Sequence, residues 1–242
     1  MRKYNYGSII LILIVNAIIS GILQNIADGN LSILSGFVAF IFDYIICRGL
    51  LYNREGSFSD YFRGIKTMTG KVFLMNILVG AITVALLTLA ALASGAGFLL
   101  FSDYAIKDTK IVISLIVLFT LVMIFTSLIF AYLNFFMADE RYRDLPFFDS
   151  LKLILKAGIK LFSESFMAGV KAYKITLLTG VIALVTGILS MKAPAAAVFA
   201  IIFGVIAAIA LFLCTPPFRA SLSDIYMDRA EEIYNEVMGC ED

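Results

Sequence analysis

Histidine is absent from this 242-residue chain, and so is tryptophan. Without His there is no imidazole base, no imidazole metal ligand and no Ser-His-Asp arrangement. Without Trp, any aromatic belt at a membrane boundary has to come from the 11 Tyr and 21 Phe. Cysteine is scarce: Cys47, Cys214 and Cys240 form no C-x-x-C pair, which argues against a disulfide framework and against a zinc site. They read as apolar filler. No P-loop, G-x-G-x-x-G or G-x-S-x-G occurs. Charged residues make up 15% of the chain, against roughly 25% in soluble domains. No catalytic residue, metal or cofactor is expected, and the chain reads as non-enzymatic.

What is present is apolar surface. Hydrophobic residues are 61% of the total, and mean hydropathy is +0.96. A single core of this size cannot hide that much, so lipid must be the solvent for much of it. Six stretches approach the length of about 20 apolar residues that a spanning helix needs. They run over 8–26, 31–52, 72–101, 111–138, 173–190 and 195–214. The first is too long for a cleaved signal peptide and is followed by no small-residue cleavage site. "SGAG" at 94–97 is expected to bend or end the third. The fold class is therefore an all-α, polytopic membrane helix bundle. A six-span domain covers 1–217 and an amphipathic cytoplasmic helix covers 218–242, since Pro216 and Pro217 should end the last span.

Charge sets the orientation. Arg2 and Lys3 precede the first span. Arg48, Arg54, Arg63, Lys66 and Lys71 surround the second connection. Arg141, Arg143, Lys152, Lys156, Lys160, Lys171 and Lys174 surround the fourth, and Arg219 and Arg229 follow the last span. Only Lys107, Lys110 and Lys192, of 19 cations, fall on the other side. By the positive-inside rule both termini are expected in the cytoplasm of a bacterial cell, with short outer turns at 27–30, 102–110 and 191–194. The basic residues are spent on topology, so nucleic acid is not indicated.

One short polar phrase appears twice: "FSDYFRGIK" at 58–66 and "FSESFMAGVK" at 162–171. Phe58, Asp60, Phe62, Gly64 and Lys66 correspond to Phe162, Glu164, Phe166, Gly169 and Lys171. Each copy precedes a span on the same side of the membrane. Each reads as an amphipathic segment with its Phe residues at the apolar boundary, its Gly at a turn or close contact, and its Lys among headgroups. The placement suggests a parallel repeat of spans two–three and four–five, and it argues against an inverted repeat. The stretch 146–166 carries Lys152, Lys156 and Lys160 at helical spacing, opposite Leu151, Ile154, Leu155, Ile159 and Phe162. With Lys171 and Lys174, these lysines are candidates for anionic lipid headgroups.

Inside the spans, polar groups are few. Asp43 is the one acid well within an apolar run, at a cost of about 2.5–3.5 kcal/mol on insertion scales. Two readings stand: an ion or proton site, or a structural residue relieved by Arg48 or by Tyr and Asn side chains. Asn16 and Asn76 lie in other spans and Asn134 near a helix end; all three read as glue that hydrogen-bonds across helices rather than as a substrate site. Asp139, Glu140 and Asp144, interleaved with Arg141 and Arg143, read as a salt-bridged turn rather than a metal site. The tail presents Phe218, Leu222, Ile225, Ile233 and Val237 on one face and acids on the other. It should avoid anionic lipid and dock on protein: the chain's own basic connections, or a cytoplasmic partner.

"GLLYNREGSFSDYFRGIK" at 49–66, "FMADERYRDLPFFDSLK" at 136–152 and "PPFRASLSDIY" at 216–226 resemble uncharacterised bacterial integral membrane proteins related to the membrane domain attached to some glycerophosphoryl diester phosphodiesterases. The resemblance covers most of the chain. It implies a membrane architecture but no phosphodiesterase chemistry, for which a chain without His lacks the residues. The leading expectation is a non-catalytic scaffold or accessory of a membrane complex, touching anionic lipid at its cytoplasmic face. The rival is a transporter of a small solute, peptide or lipid, or the membrane subunit of an exporter with a cytoplasmic ATPase. Transport requires Asp43, Asn16 and Asn76 to meet in one cavity.

Overall fold

The computed structural model describes residues 2–26, 32–93, 109–190 and 195–239. The expected outer turns at 27–30 and 191–194, the "SGAG" stretch, Lys107, Lys192 and Cys240 lie outside the described residues. The elements are α1 (Tyr6–Ile26), α2 (Ser32–Tyr52), α3 (Phe58–Phe62) with a 3-10 turn (Arg63–Thr67), α4 (Gly70–Ala93), α5 (Thr109–Ile129), α6 (Leu133–Ala138), α7 (Phe147–Lys160), α8 (Phe162–Ser190) and α9 (Ala196–Met238). No strand occurs among the described residues. Six helical segments are long and apolar enough to cross a membrane: α1, α2, α4, α5 continued by α6, α8 and α9.

In hydrocarbon each backbone N–H and C=O must find its partner within the segment, so apolar runs of this length fold as helices. Their outward side chains stay uncovered by protein: Val84 is 64% exposed and Ile201 67%. The most extensive contacts join α8 to α9, α1 to α2 and α4 to α5. The spans therefore pair one–two, three–four and five–six, rather than two–three and four–five as the repeat suggests.

Protein-to-protein burial is concentrated at one end, where the cations gather. Ile45, Cys47, Leu50, Tyr61, Val72, Phe135, Phe136, Leu153, Leu222 and Ile233 form one cluster there. Each of its four fully buried tyrosines has a hydroxyl partner, as buried polar groups require. Tyr44 meets Thr67, Tyr61 reaches the Arg54 carbonyl, Tyr132 pairs with Ser165, and Tyr226 donates to Asp139. Gly158 on α7 lies against the Ile129 carbonyl at the end of α5, where a Cβ would collide with backbone. That contact turns α7 so that Ser150, Leu153, Ile154, Ala157 and Gly158 face inward. The expected apolar face is rotated: Ile159 points outward, 65% exposed, on the same side of the helix as Phe148 at 79%.

Pro216 and Pro217 do not end the last span. α9 continues through both for 43 residues, about 65 Å at 1.5 Å per residue, twice the roughly 30 Å hydrocarbon layer. The segment 218–242 is thus no separate helix as far as Met238. The prolines remove two ladder donors, and α8 braces the site. Tyr173 Oη lies 3.3 Å from Thr215 Oγ1, and the Tyr173 and Phe218 rings pack at 5.2 Å. Beyond the prolines, Phe218, Leu222, Ile225, Ile233 and Val237 join the core cluster. The acids meet the chain's own basic groups: Asp224 and Asp228 pair with Arg2, and Glu232 and Glu236 with Lys156 and Lys160. The acidic tail is docked on the protein itself.

Candidate functional site

Four helices contribute to one polar chain inside the bundle. Asp43 on α2 forms an ion pair with Arg219 on α9. Asn134 on α6 donates from Nδ2 to Asp43 Oδ2 at 2.6 Å. Asn76 on α4 donates from Nδ2 to Asn134 Oδ1 at 3.0 Å and to its own helix at the Val72 carbonyl, 2.9 Å away. The interruption of the helix at 130–132, between α5 and α6, starts a new short helix against α2 and brings Asn134 to Asp43. A carboxylate in this zone is tolerable because a guanidinium and an amide satisfy it.

The chain borders a cavity of about 640 Å³. Asn16, Asp43, Asn76, Asn134, Thr83, Thr215 and Arg219 line it, together with apolar side chains of α1, α2, α4 and α5. Asn16 sits on the α1 side and accepts a hydrogen bond from Ser20 at 3.4 Å. The volume falls within the 300–1,000 Å³ typical of small-molecule sites, as does the lining of mostly apolar groups with a few convergent polar ones. The three residues that transport would require to converge, Asp43, Asn16 and Asn76, do line one cavity.

One member, Arg219, escaped sequence reasoning. Arg219 was counted among the membrane-flanking cations, and the expected relief for Asp43 was Arg48 or Tyr and Asn side chains, of which an Asn, Asn134, supplies it. In the structure Arg48 instead donates to the Ala138 carbonyl at 2.9 Å and pairs with Glu140. The signal for Arg219 was its position directly after the last apolar run, available to the one acid buried in another run. Asn134 was placed near a helix end, and nothing local ties it to Asp43.

The remaining candidates lie at the basic end. Asp139, only 3% exposed, accepts from Tyr226 at 3.0 Å, from Tyr52, and from the Arg141 backbone and guanidinium. Burial opposes its ionisation, but the Arg141 and Tyr226 hydrogen bonds outweigh burial and hold its carboxyl below its ordinary value. The expected salt-bridged turn is therefore an anchor between α2, the α6–α7 connection and α9. The two copies of the repeated phrase take different backbones. In the first, Asp60 accepts from the Ser57 N–H and hydroxyl at the start of α3, Phe58 and Phe62 pack at 4.8 Å, Gly64 sits against Arg48, and Lys66 is exposed. In the second, the phrase opens α8: Phe162 stacks with Phe166, Glu164 pairs with Arg229, Gly169 lies by Phe218, and Lys171 is exposed. Lys156 and Lys160 are held in the ion pairs with α9, while Lys152 and Lys174 are exposed.

Against known proteins the chain matches no family model, no curated protein and no solved structure. Fold and packing define its class: a multi-pass helical membrane protein, closely packed at one end, with an ion pair facing an open cavity between its helices.

Proposed function

We propose that this protein binds a small solute within the membrane, as a transporter or as the membrane subunit of one. The observation carrying this reading is the convergence of Asn16, Asp43 and Asn76, joined by Asn134 and Arg219, on one open cavity between the helices. A purely structural bundle gains nothing from a hollow lined by its few intramembrane polar groups, since close packing is the more stable arrangement. The test is sided labelling. In a chain with Cys47, Cys214 and Cys240 replaced by Ala, Thr83→Cys should react with a membrane-impermeant thiosulfonate in sealed vesicles. Glu55→Cys, at the basic end, is the control. Reaction at position 55 with none at 83 from either face rejects the reading.

A second reading has its own observation. Phe148 and Ile159 stand outward on α7 in helical register with exposed Lys152. Apolar side chains beside a cation suit the headgroup boundary, and Lys171 and Lys174 extend the same chemistry along α8. We assign this face to anionic lipid, as an accessory to the cavity's role. Phe148→Ser with Lys152→Gln should weaken enrichment of phosphatidylglycerol around the protein in mixed-lipid nanodiscs. Unchanged enrichment rejects it.

A further inference from the structure

We infer that the solute is a zwitterion with an apolar body: an apolar α-amino acid, a short apolar peptide, or the ammonium-phosphate headgroup of an aminophospholipid. This rests on reading the cavity as a solute site. Among the described residues, Asp43 and Arg219 are the only charged side chains lining it, one of each sign. They are paired, yet not sealed: their side chains keep 24% and 27% of their surface exposed.

Charge balance then selects the ligand. A lone anion that engaged Arg219 would compete with Asp43 and strand it among apolar groups. A lone cation would strand Arg219 in the same way. A zwitterion inserts its anionic group against Arg219 and its ammonium against Asp43, so every charge keeps a partner. Asn134, already donating to Asp43, holds the carboxylate in place as the pair opens. The rest of the wall is apolar, with Leu13, Phe40, Val79 and Met123 among its residues, so it takes a hydrocarbon body rather than a sugar.

The test uses the full chain in nanodiscs, with Thr83→Cys in the background lacking other cysteines, and follows alkylation by N-ethylmaleimide. Leucine, phenylalanine or leucyl-leucine should slow the reaction about tenfold at saturation, and leucinamide and isocaproate should not. Slowing that appears only when phosphatidylethanolamine replaces phosphatidylglycerol in the disc also supports the inference and assigns the zwitterion to a lipid headgroup. Asp43→Asn combined with Arg219→Gln removes both charges without leaving one unpaired, and protection should vanish while gel filtration shows an intact protein. Protection that survives this double substitution overturns the inference. So does protection by the single-charge analogues equal to that by leucine, or no protection by any zwitterion while position 83 still alkylates. The cavity reading outlives these three results. Failure of position 83 to react at all defeats the cavity reading and the inference with it.

Discussion

Asp43 and Tyr44 are neighbours in sequence and belong to different worlds. Tyr44 is fully buried in the basic-end cluster, its hydroxyl on Thr67, whereas Asp43 faces the cavity with a quarter of its side chain open. Successive helix positions point about 100° apart, so α2 serves both regions at once. At the basic end, aromatic rings interlock: Tyr226 packs against Phe135 at 5.4 Å and Phe136 at 4.9 Å, and Tyr142 against Tyr234 at 5.0 Å. In the middle, the same helices leave space. The contrast teaches that the anchored end supplies the packing that lets the middle stay hollow.

Substitutions at each region separate the two roles. The largest effect is expected from Arg219→Gln, which leaves the Asp43 carboxylate with Asn134 alone. Removing one partner of a pair with about three quarters of its surface covered should cost about 3 kcal/mol, the low end for buried pairs, read as a lowered thermal midpoint in detergent, and adding Asp43→Asn should restore most of it. If the double substitution is as unstable as the single one, the pair is not the reason. Gly158→Ala comes next. Its methyl meets the Ile129 carbonyl, and backbone cannot rotate away, so overpacking should cost toward 3 kcal/mol, the upper end of the usual range of about 1–3. A neutral result would mean that α7 is not pinned to α5 as described.

Tyr226→Phe keeps the ring and deletes the hydroxyl on Asp139, and losing a hydrogen bond to a charged group costs about 1.5–2 kcal/mol. Acid probes the same anchor. Because the Asp139 carboxyl is held below its ordinary value, its stabilising contribution is present above about pH 4. It is lost as pH falls through the lowered folded-state value. The midpoint should therefore fall more gently with acid in Tyr226→Phe than in the parent, and parallel curves would contradict this. The smallest effect belongs to Lys160→Gln. Its pairs with Glu232 and Glu236 are solvent-exposed and screened. The change should be slight, and moderate salt should remove it. A large, salt-resistant loss would place the anchor in the ion pairs rather than in the aromatic contacts.

The helices themselves were legible in the chain, because a run of 20 apolar residues admits few other structures in lipid. Asp43, Asn16 and Asn76 stood out for the same reason: polar groups inside such runs are costly and therefore rare. The docking of the acidic tail was legible from charge. The direction of α7 was not. Its periodicity shows two faces, and a glycine contact with a neighbouring carbonyl chose between them.

By itself the sequence determined composition-driven properties: a helical, multi-pass protein with its cations gathered at one end of the spans. These follow from hydropathy and charge, which are properties of each segment alone. Only the tertiary structure decided that Arg219 answers Asp43, that Asn134 links it to Asn76, and that α9 runs on through Pro216 and Pro217 to join the basic end. Those outcomes depend on how each helix is rotated and braced against its neighbours. Residues 176 positions apart, as Asp43 and Arg219 are, carry no local mark of having met.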